Sequence, residues 1–324
     1  MNTVFIYNRS RGLILDQKDP ILIQNALRDT ESLVWMDLED PTDDEIDILT
    51  DIFQFHPLSI EDCIFPQNRP KIEEFENYVF IVVHGILYDH NHDPSITTQE
   101  LNIFVGHNFI VTFHENPLRN ISMVKTRCRE KVDILAKGSD FVLHLVLDNL
   151  VDSYFPILNQ MDTVIDKIED DIFTEPTSAL LNDVFSLKRD LMAMRRVINP
   201  QREMIANLTR RDFPFIQGPT LVYFRDIHDH LVRMTDTIDT YREIMTNALD
   251  VYLSVTSNQM NSVMKTLTII TTIMMPGTLI ASVYGMNFEY MPHLHWKLGP
   301  YLILGMIFMI TAGMLYYFRK KHWI

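Results

Sequence analysis

The sequence predicts an α+β membrane protein: an N-terminal cytosolic α/β domain and a long helical stalk that continues into the first of two C-terminal transmembrane helices. Up to about Asn116, short β-like runs alternate with helical ones. Between Pro219 and Pro276 the chain has no Gly or Pro, as a long uninterrupted helix requires. We expect only two segments to be apolar enough to cross a bilayer; both lie near the C-terminus and approach the roughly 20 residues that this requires. The predicted divisions are 1–140 (α/β domain), 141–262 (helical region and stalk), 263–318 (membrane hairpin) and 319–324 (basic cytosolic tail).

Four runs in the N-terminal domain have the apolar, β-branched or aromatic composition of strands: 33–38, 78–87, 101–105 and 109–113. The last two flank Gly106-His107-Asn108 and are predicted to form a hairpin. Thr42-Asp43-Asp44-Glu45 predicts a helix start, because acidic side chains favour the positive end of the helix dipole. No Gly-rich phosphate loop is present.

From Pro117 onward the apolar residues recur with a helical period. The stretch between Pro219 and Pro276 is long enough for a helix of roughly 85 Å. Along it one acidic residue recurs every seven positions: Asp229, Asp236, Glu243 and Asp250. We interpret this stripe as a solvent-exposed helix face, and storage of cations along it is the open alternative.

The net charge of −15 is concentrated in the N-terminal part. Five of the 28 basic residues and one of the 43 acidic residues follow Val263, which leaves 23 basic against 42 acidic residues before it. This acidity argues against a nucleic-acid partner and favours divalent cations. Cys63 and Cys128 lie far apart without a zinc-site spacing, and the N-terminus lacks a signal peptide.

The first apolar segment, 266–283, is polar for a helix that faces lipid. Positions spaced by three and four residues form one stripe: Asn261, Met264, Leu267, Thr271, Met275, Thr278 and Ser282. In a ring of copies this stripe would line the axis, but helix packing explains small hydroxylated residues equally well. Pro276-Gly277 predicts a kink or a packing contact.

The second segment, 298–318, is apolar on nearly all sides and is predicted to face lipid. Arg319, Lys320 and Lys321 after it and Lys265 before the first segment follow the positive-inside rule. We therefore expect both termini in the cytosol and a bacterial-type cytoplasmic (inner) membrane. Since a two-helix hairpin cannot enclose a pore, a pore would require a ring of several copies.

The loop between the two segments, 284–297, is a candidate pore mouth. An Asn287 carbonyl, repeated around a ring with the backbone carbonyl of Gly285, would offer neutral acceptors to a hydrated Mg²⁺ ion. We expect Gly285 to let the backbone leave the helix in a conformation that other residues resist.

The sequence of this loop and of the segments around it closely resembles the CorA family of magnesium channels. The resemblance is carried by residues 264–270, Pro276 and Tyr284-Gly285-Met286-Asn287-Phe288-Glu289-Tyr290-Met291-Pro292. It continues upstream, thinning before about Leu33, in His56-Pro57-Leu58, Glu61-Asp62, Gln67-Asn68-Arg69-Pro70-Lys71 and Tyr223-Phe224-Arg225-Asp226.

The resemblance implies a homopentamer that admits hydrated Mg²⁺, and often Co²⁺ or Ni²⁺. It implies a selectivity filter of Gly285, Met286 and Asn287 on the outer face. It places the family's pore-lining residues on Asn261, Met264, Leu267, Met275, Thr278 and Asn287. Met264 and Leu267 would form a hydrophobic gate.

The resemblance also implies feedback by Mg²⁺ bound between cytosolic domains, which holds the channel shut. The matching residues are Asp62 and Asp226, with Glu61 and Asp148 at a second site. Mg²⁺ is thus expected as both cargo and regulator.

One position departs from the family pattern. The family often has Glu after Met-Pro in the outer loop, where this chain has His293. Glu289 remains at the mouth to attract cations. We hypothesise that a protonated His293 weakens cation capture below its usual pKa of about 6.5.

Three alternatives stay open. A related branch transports Zn²⁺ and typically has Ile where this chain has Met286. A membrane-anchored sensor would bind cations without conducting them, although the polar stripe opposes this. An enzyme is disfavoured: His228 and His230 beside Asp226 and Asp229 lack a catalytic motif and are interpreted as surface histidines.

Overall fold

The computed structural model describes residues 2–15, 19–65, 69–89, 95–174, 176–210, 213–286 and 298–323. The strands are β1 Thr3–Asn8, β2 Gly12–Leu15, β3 Ser32–Glu39, β4 Lys71–Glu74, β5 Val79–Tyr88, β6 Ile96–Val105 and β7 Phe109–His114. The helices are α1 Pro20–Arg28, α2 Asp43–Asp51, α3 Pro57–Ile64, α4 Arg119–Glu130, α5 Ser139–Asp152, α6 Tyr154–Thr174, α7 Ser178–Arg210, α8 Leu221–Tyr284 and α9 Gly299–Lys320. A 3-10 helix, Val132–Lys137, lies between α4 and α5.

The chain divides into two units. The first comprises Met1–Asp171 and Thr177–Ala248, and the second Ile172–Pro176 and Leu249–Ile324. Helix α8 contributes to both.

A seven-stranded mixed sheet in the order β2-β1-β3-β7-β6-β5-β4 forms the centre of the first unit. Strands β3 and β7 are parallel and the other neighbours are antiparallel. All four predicted strands are confirmed, as is the hairpin, in which Val105 pairs with Ile110. Strand β6 begins at Ile96, earlier than predicted, because Ile96 is followed by four consecutive polar residues, 97–100, which a search for apolar runs misses.

Both faces of the sheet are covered. On one face, α1, α2 and α3 pack on alternate strand residues such as Val34 and Met36. Helix α2 starts where predicted, with a capping box between Thr42 and Glu45. The other face carries buried Trp35 and a polar group centred on Asp37, whose carboxylate accepts from Lys125 Nζ at 2.6 Å.

The helical half of the first unit comprises α6, α7 and the N-terminal part of α8. The buried apolar residues of α8 are spaced by three, four or seven positions, as on one face of a helix: Phe224, Ile227, Leu231, Met234, Ile238, Met245 and Ala248. The residues of the acidic stripe are all exposed. Their seven-residue period therefore reflects the outer side of a packed helix, as predicted.

Candidate functional site

The C-terminal part of α8 and helix α9 expose apolar surface that a soluble chain would bury. In the most apolar window of each helix, only 6% is buried. Leu267 and Met275 are 56% and 64% exposed, and Phe308 of α9 is 75% exposed. Contiguous apolar surface of this extent requires lipid or other protein.

A third stretch, Ser139–Thr174, is also long and apolar enough to cross a bilayer by length and composition. The expectation that only two segments have this property is therefore wrong among the described residues. In this stretch 61% of the apolar window is buried, because α5 and α6 lie in the core of the first unit. Its hydropathy reflects a protein core.

All seven residues of the stripe predicted on α8 are exposed in the single chain. Thr271 and Thr278 donate their hydroxyls to the carbonyl oxygens of Leu267 and Met274 at 2.9 and 3.0 Å. These bonds satisfy the hydroxyls within the helix, so the threonines are compatible with lipid, packing or water. Leu267, Met264 and Asn261 lie on the same helix face, about one, two and three turns before Thr271.

Gly277 marks a close approach between α8 and α9. A Cβ atom there would lie 3.3 Å from Ile307 Cγ2. The helix continues through Pro276 to Tyr284. The contact supports the packing interpretation of Pro276-Gly277.

Gly285 directly follows α8, and its backbone conformation differs from the one predicted. Its φ is not positive, unlike those of Gly12 and Gly138, so the expected unusual backbone conformation is wrong. Its amide donates to the carbonyl oxygen of Ala281 at 2.9 Å, and a Cβ would meet that oxygen at 3.2 Å. Met286 follows and is 52% exposed. Asn287, Glu289 and His293 lie outside the described residues.

A second candidate site lies where α5 meets the start of α8. Oxygen atoms of Asp148 and Asp152 and a ring nitrogen of His230 all lie within 4.8 Å of one another. Asp226, one turn before His230, has its Oδ2 at 3.9 Å from His230 Nε2. We call these four residues the acidic cluster.

The electrostatics of the acidic cluster suit a cation. Burial and the nearby carboxylate of Asp226 raise the pKa of Asp148, despite the opposing effect of His230. Burial and the carboxylate of Asp148 likewise raise the pKa of Asp152. Burial is the larger cause of both shifts, and repulsion between the carboxylates, which a bound divalent cation would relieve, adds to it. The carboxylates are ligands that Mg²⁺ accepts, and carboxylates with one imidazole suit Co²⁺ and Ni²⁺.

The predicted regulatory residues are thus only partly brought together in one chain. Asp148 and Asp226 belong to the acidic cluster, whereas Asp62 on α3 accepts from Lys71 Nζ at 2.6 Å and Glu61 is exposed. The interpretation of His230 as an ordinary surface histidine overlooked its place in the cluster, and Asp152 was missed. The sequence did contain a signal for this cluster. Asp148 and Asp152 are four residues apart, as are Asp226 and His230, and this spacing places two side chains on the same face of a helix.

Known proteins are similar to this chain along almost its whole length. The family described as CorA-like Mg²⁺ transporter protein matches residues 30–320. The cobalt/magnesium transport protein CorA of Thermotoga maritima is 39% identical over 300 residues, which cover 92% of this chain and 85% of the relative.

Two solved structures share the fold. The CorA magnesium transporter from Methanocaldococcus jannaschii matches with a TM-score of 0.85 at 24% identity, over 99% of this chain and 98% of the other. The cytoplasmic domain of ZntB from Vibrio parahaemolyticus matches with a TM-score of 0.58 at 14% identity, over 80% of this chain and 98% of that domain. At these identities the likeness concerns the fold alone.

Proposed function

The chain belongs to the CorA-like Mg²⁺ transporter family, and we propose that it is a pentameric channel for hydrated Mg²⁺ and Co²⁺, and also for Ni²⁺, in a bacterial-type inner membrane. That it is a membrane protein which transports divalent cations follows from the family, whose members are ion transporters rather than enzymes. The finer assignment concerns the assembly, the ion path and its control.

The observation that carries this assignment is the exposed stripe on α8. Asn261, Met264 and Leu267 continue the same face as Thr271, Met275, Thr278 and Ser282, and all are exposed in the single chain. Five copies of α8 around one axis would cover this face and line a path with it, while α9 would face lipid. We assign residues 263–318 to the membrane hairpin, and residues 1–140 and 141–262 to the cytosolic domain and stalk.

The ion path would begin at the outer loop and end at a narrow apolar ring. The filter residues Gly285, Met286 and Asn287 would present oxygens to the hydrated ion, since Mg²⁺ loses its water reluctantly. Met264 and Leu267 would close the path by excluding water. Glu289 and His293 would flank the mouth, where a protonated His293 would repel cations in acid.

Control by cytosolic Mg²⁺ would act through carboxylates between subunits. Asp62 of one subunit and Asp226 of the next would share one ion, and Glu61 and Asp148 would hold a second. The acidic cluster supports this proposal, because it adds Asp152 and His230 as donors around Asp226 and Asp148. Loss of bound Mg²⁺ would leave like charges facing one another and loosen the closed ring.

Zinc transport is the second candidate, since the fold is shared with the ZntB cytoplasmic domain. Met286, in place of the Ile typical of the zinc branch, favours magnesium. Uptake into proteoliposomes that contain an indicator for Mg²⁺ or for Zn²⁺ distinguishes the two, and native mass spectrometry gives the number of copies. Mg²⁺ uptake by a five-copy assembly supports the proposal; Zn²⁺ uptake without Mg²⁺ uptake contradicts it.

A further inference from the structure

The first unit contains a cavity of about 800 Å³ that the ion path does not use. It lies between the β4–β6 side of the sheet, α7 and α8. Four arginines line it: Arg69, Arg195, Arg196 and Arg242. Arg69 belongs to the Gln67–Lys71 motif, to which the proposed transport mechanism gives no role.

The positive charge in this arginine cavity is only partly neutralised. Asp239 lies 3.2 Å from Arg195 Nε and 3.1 Å from Arg242 Nη1, so one carboxylate serves two guanidinium groups. Among the described residues, Arg69 and Arg196 form no ion pair or hydrogen bond. His84 also lines the cavity, and its Nε2 is 3.7 Å from the Glu100 carboxylate. Four guanidinium groups therefore face one carboxylate.

One of these arginines also has an unsatisfied donor inside the protein. The Nε atom of Arg242 is buried and has no hydrogen-bond partner in the described part of the chain, whereas the buried Nε of Arg195 lies 3.2 Å from the Asp239 carboxylate. A buried donor without a partner is unfavourable. An anion in the cavity would supply acceptors and relieve the repulsion between the guanidinium groups. This concentration of positive charge is notable in a protein whose net charge is −15.

The rest of the lining indicates the type of anion. One wall is apolar, with Met192, Val197 and Pro200 from α7, and Met192 is 49% exposed. Thr97 and Thr98 add hydroxyl groups from β6. Arginine forks match phosphate oxygens in two-point contacts. The volume lies within the roughly 300–1,000 Å³ range of small-molecule sites.

We propose that the arginine cavity binds a nucleoside polyphosphate, with its phosphates against the arginines and its nucleoside against the apolar wall. Magnesium bound to such a ligand occupies phosphate oxygens and removes two negative charges. The cavity therefore prefers the Mg²⁺-free form, and its occupancy rises as cytosolic Mg²⁺ falls. The link to transport rests on the proposed function, whereas the binding itself does not.

The test is calorimetric titration of the full-length detergent-solubilised protein with ATP in EDTA. We expect binding that each of Arg69→Ala and Arg196→Ala weakens by about tenfold or more, as for a lost charge-assisted contact. Arg233→Ala removes the same charge from an exposed position on α8 outside the cavity and is expected to bind like the wild type. Thermal unfolding of each variant checks that the fold is kept.

Further titrations separate the parts of the proposal. Tripolyphosphate is expected to bind more weakly than ATP, adenosine not measurably, and ATP in excess Mg²⁺ more weakly than ATP in EDTA. Absence of ATP binding, or equal binding by folded Arg69→Ala, Arg196→Ala and Arg233→Ala proteins, overturns the site. Equal affinity for tripolyphosphate and ATP overturns the nucleoside contact, and equal affinity with and without Mg²⁺ overturns the preference. Uptake assays are separate, so failure here differs from failure of the channel proposal.

Discussion

The Lys265 ammonium group donates a hydrogen bond to the carbonyl oxygen of His322 at 3.3 Å and lies 5.6 Å from the centre of the Trp323 ring. The start of the first predicted membrane segment thus meets the end of α9. Lys265 joins Arg319, Lys320 and Lys321 at one end of the hairpin, and by the positive-inside rule we propose that this end faces the cytosol.

The first prediction concerns this topology. In a background of Cys63→Ser and Cys128→Ser, a membrane-impermeant maleimide is expected to label Glu289→Cys in intact cells. His322→Cys is expected to react only after the membrane is permeabilised. Labelling of His322→Cys in intact cells would reverse the proposed orientation.

The second prediction concerns the gate. Leu267→Asn places a polar group in the proposed apolar ring, so water and ions should pass when internal Mg²⁺ is high and the wild type is closed. We expect a several-fold higher flux in proteoliposomes. Ile270 has similar exposure, 51% against 56%, but lies roughly 100° around the helix from its stripe neighbour Thr271. Ile270→Asn should therefore resemble the wild type, and an equal leak in both variants would argue against the gate.

The third prediction concerns feedback. Asp226→Asn removes a carboxylate from the acidic cluster and from the proposed subunit contact, so Mg²⁺ should protect the protein less against trypsin. Transport should also continue at internal Mg²⁺ concentrations that close the wild type. Asp229→Asn makes the same change on the exposed stripe and serves as the control. Unchanged Mg²⁺ protection in Asp226→Asn would remove this residue from the regulatory site.

The fourth prediction concerns stability of the cytosolic domain. Burial disfavours the Asp37 carboxylate, but hydrogen bonds and charges from His114 and Lys125 outweigh it, so the pKa of Asp37 is lowered. Asp37→Asn leaves the buried Lys125 ammonium unpaired, and we expect a loss of about 3–5 kcal/mol at neutral pH.

The pH dependence of this effect has a definite sign. Because the folded-state pKa of Asp37 is below its unfolded value of about 3.9, its contribution is present above that pH and is lost as pH falls through the folded-state pKa. Thermal unfolding between neutral and acidic pH measures the difference from wild type. Asp51→Asn, at an exposed carboxylate, is the control. A difference that grows in acid would contradict this account.

Sequence patterns predicted the structural features that depend on residues close together along the chain. The seven-residue spacing of Asp229 and Asp236 predicted the exposed face of α8, and Thr42 with Glu45 predicted the start of α2. Features assembled from distant residues were not predictable in this way. Asp152 and His230 meet only because α5 packs near α8, and Arg69 and Arg242 share a cavity only in the folded domain.

Hydropathy illustrates the same limit. The apolar composition of Ser139–Thr174 is compatible with a membrane or with a core, and only the burial of that stretch distinguishes the two. Gly285 is similar, because its sequence context indicates a helix end, whereas the absence of a positive φ at this residue is shown only by the structure.

The most direct test of the channel proposal is Mg²⁺ uptake into proteoliposomes loaded with a fluorescent indicator, with low internal Mg²⁺ at the start. The wild type is compared with Asn287→Ala at the proposed filter and with Asn258→Ala, an exposed asparagine of α8 outside the proposed path. Uptake by the wild type and Asn258→Ala that is lost in an intact Asn287→Ala assembly is the predicted result. Full uptake by Asn287→Ala, or none by an intact wild-type assembly, would contradict the proposed filter or the channel itself.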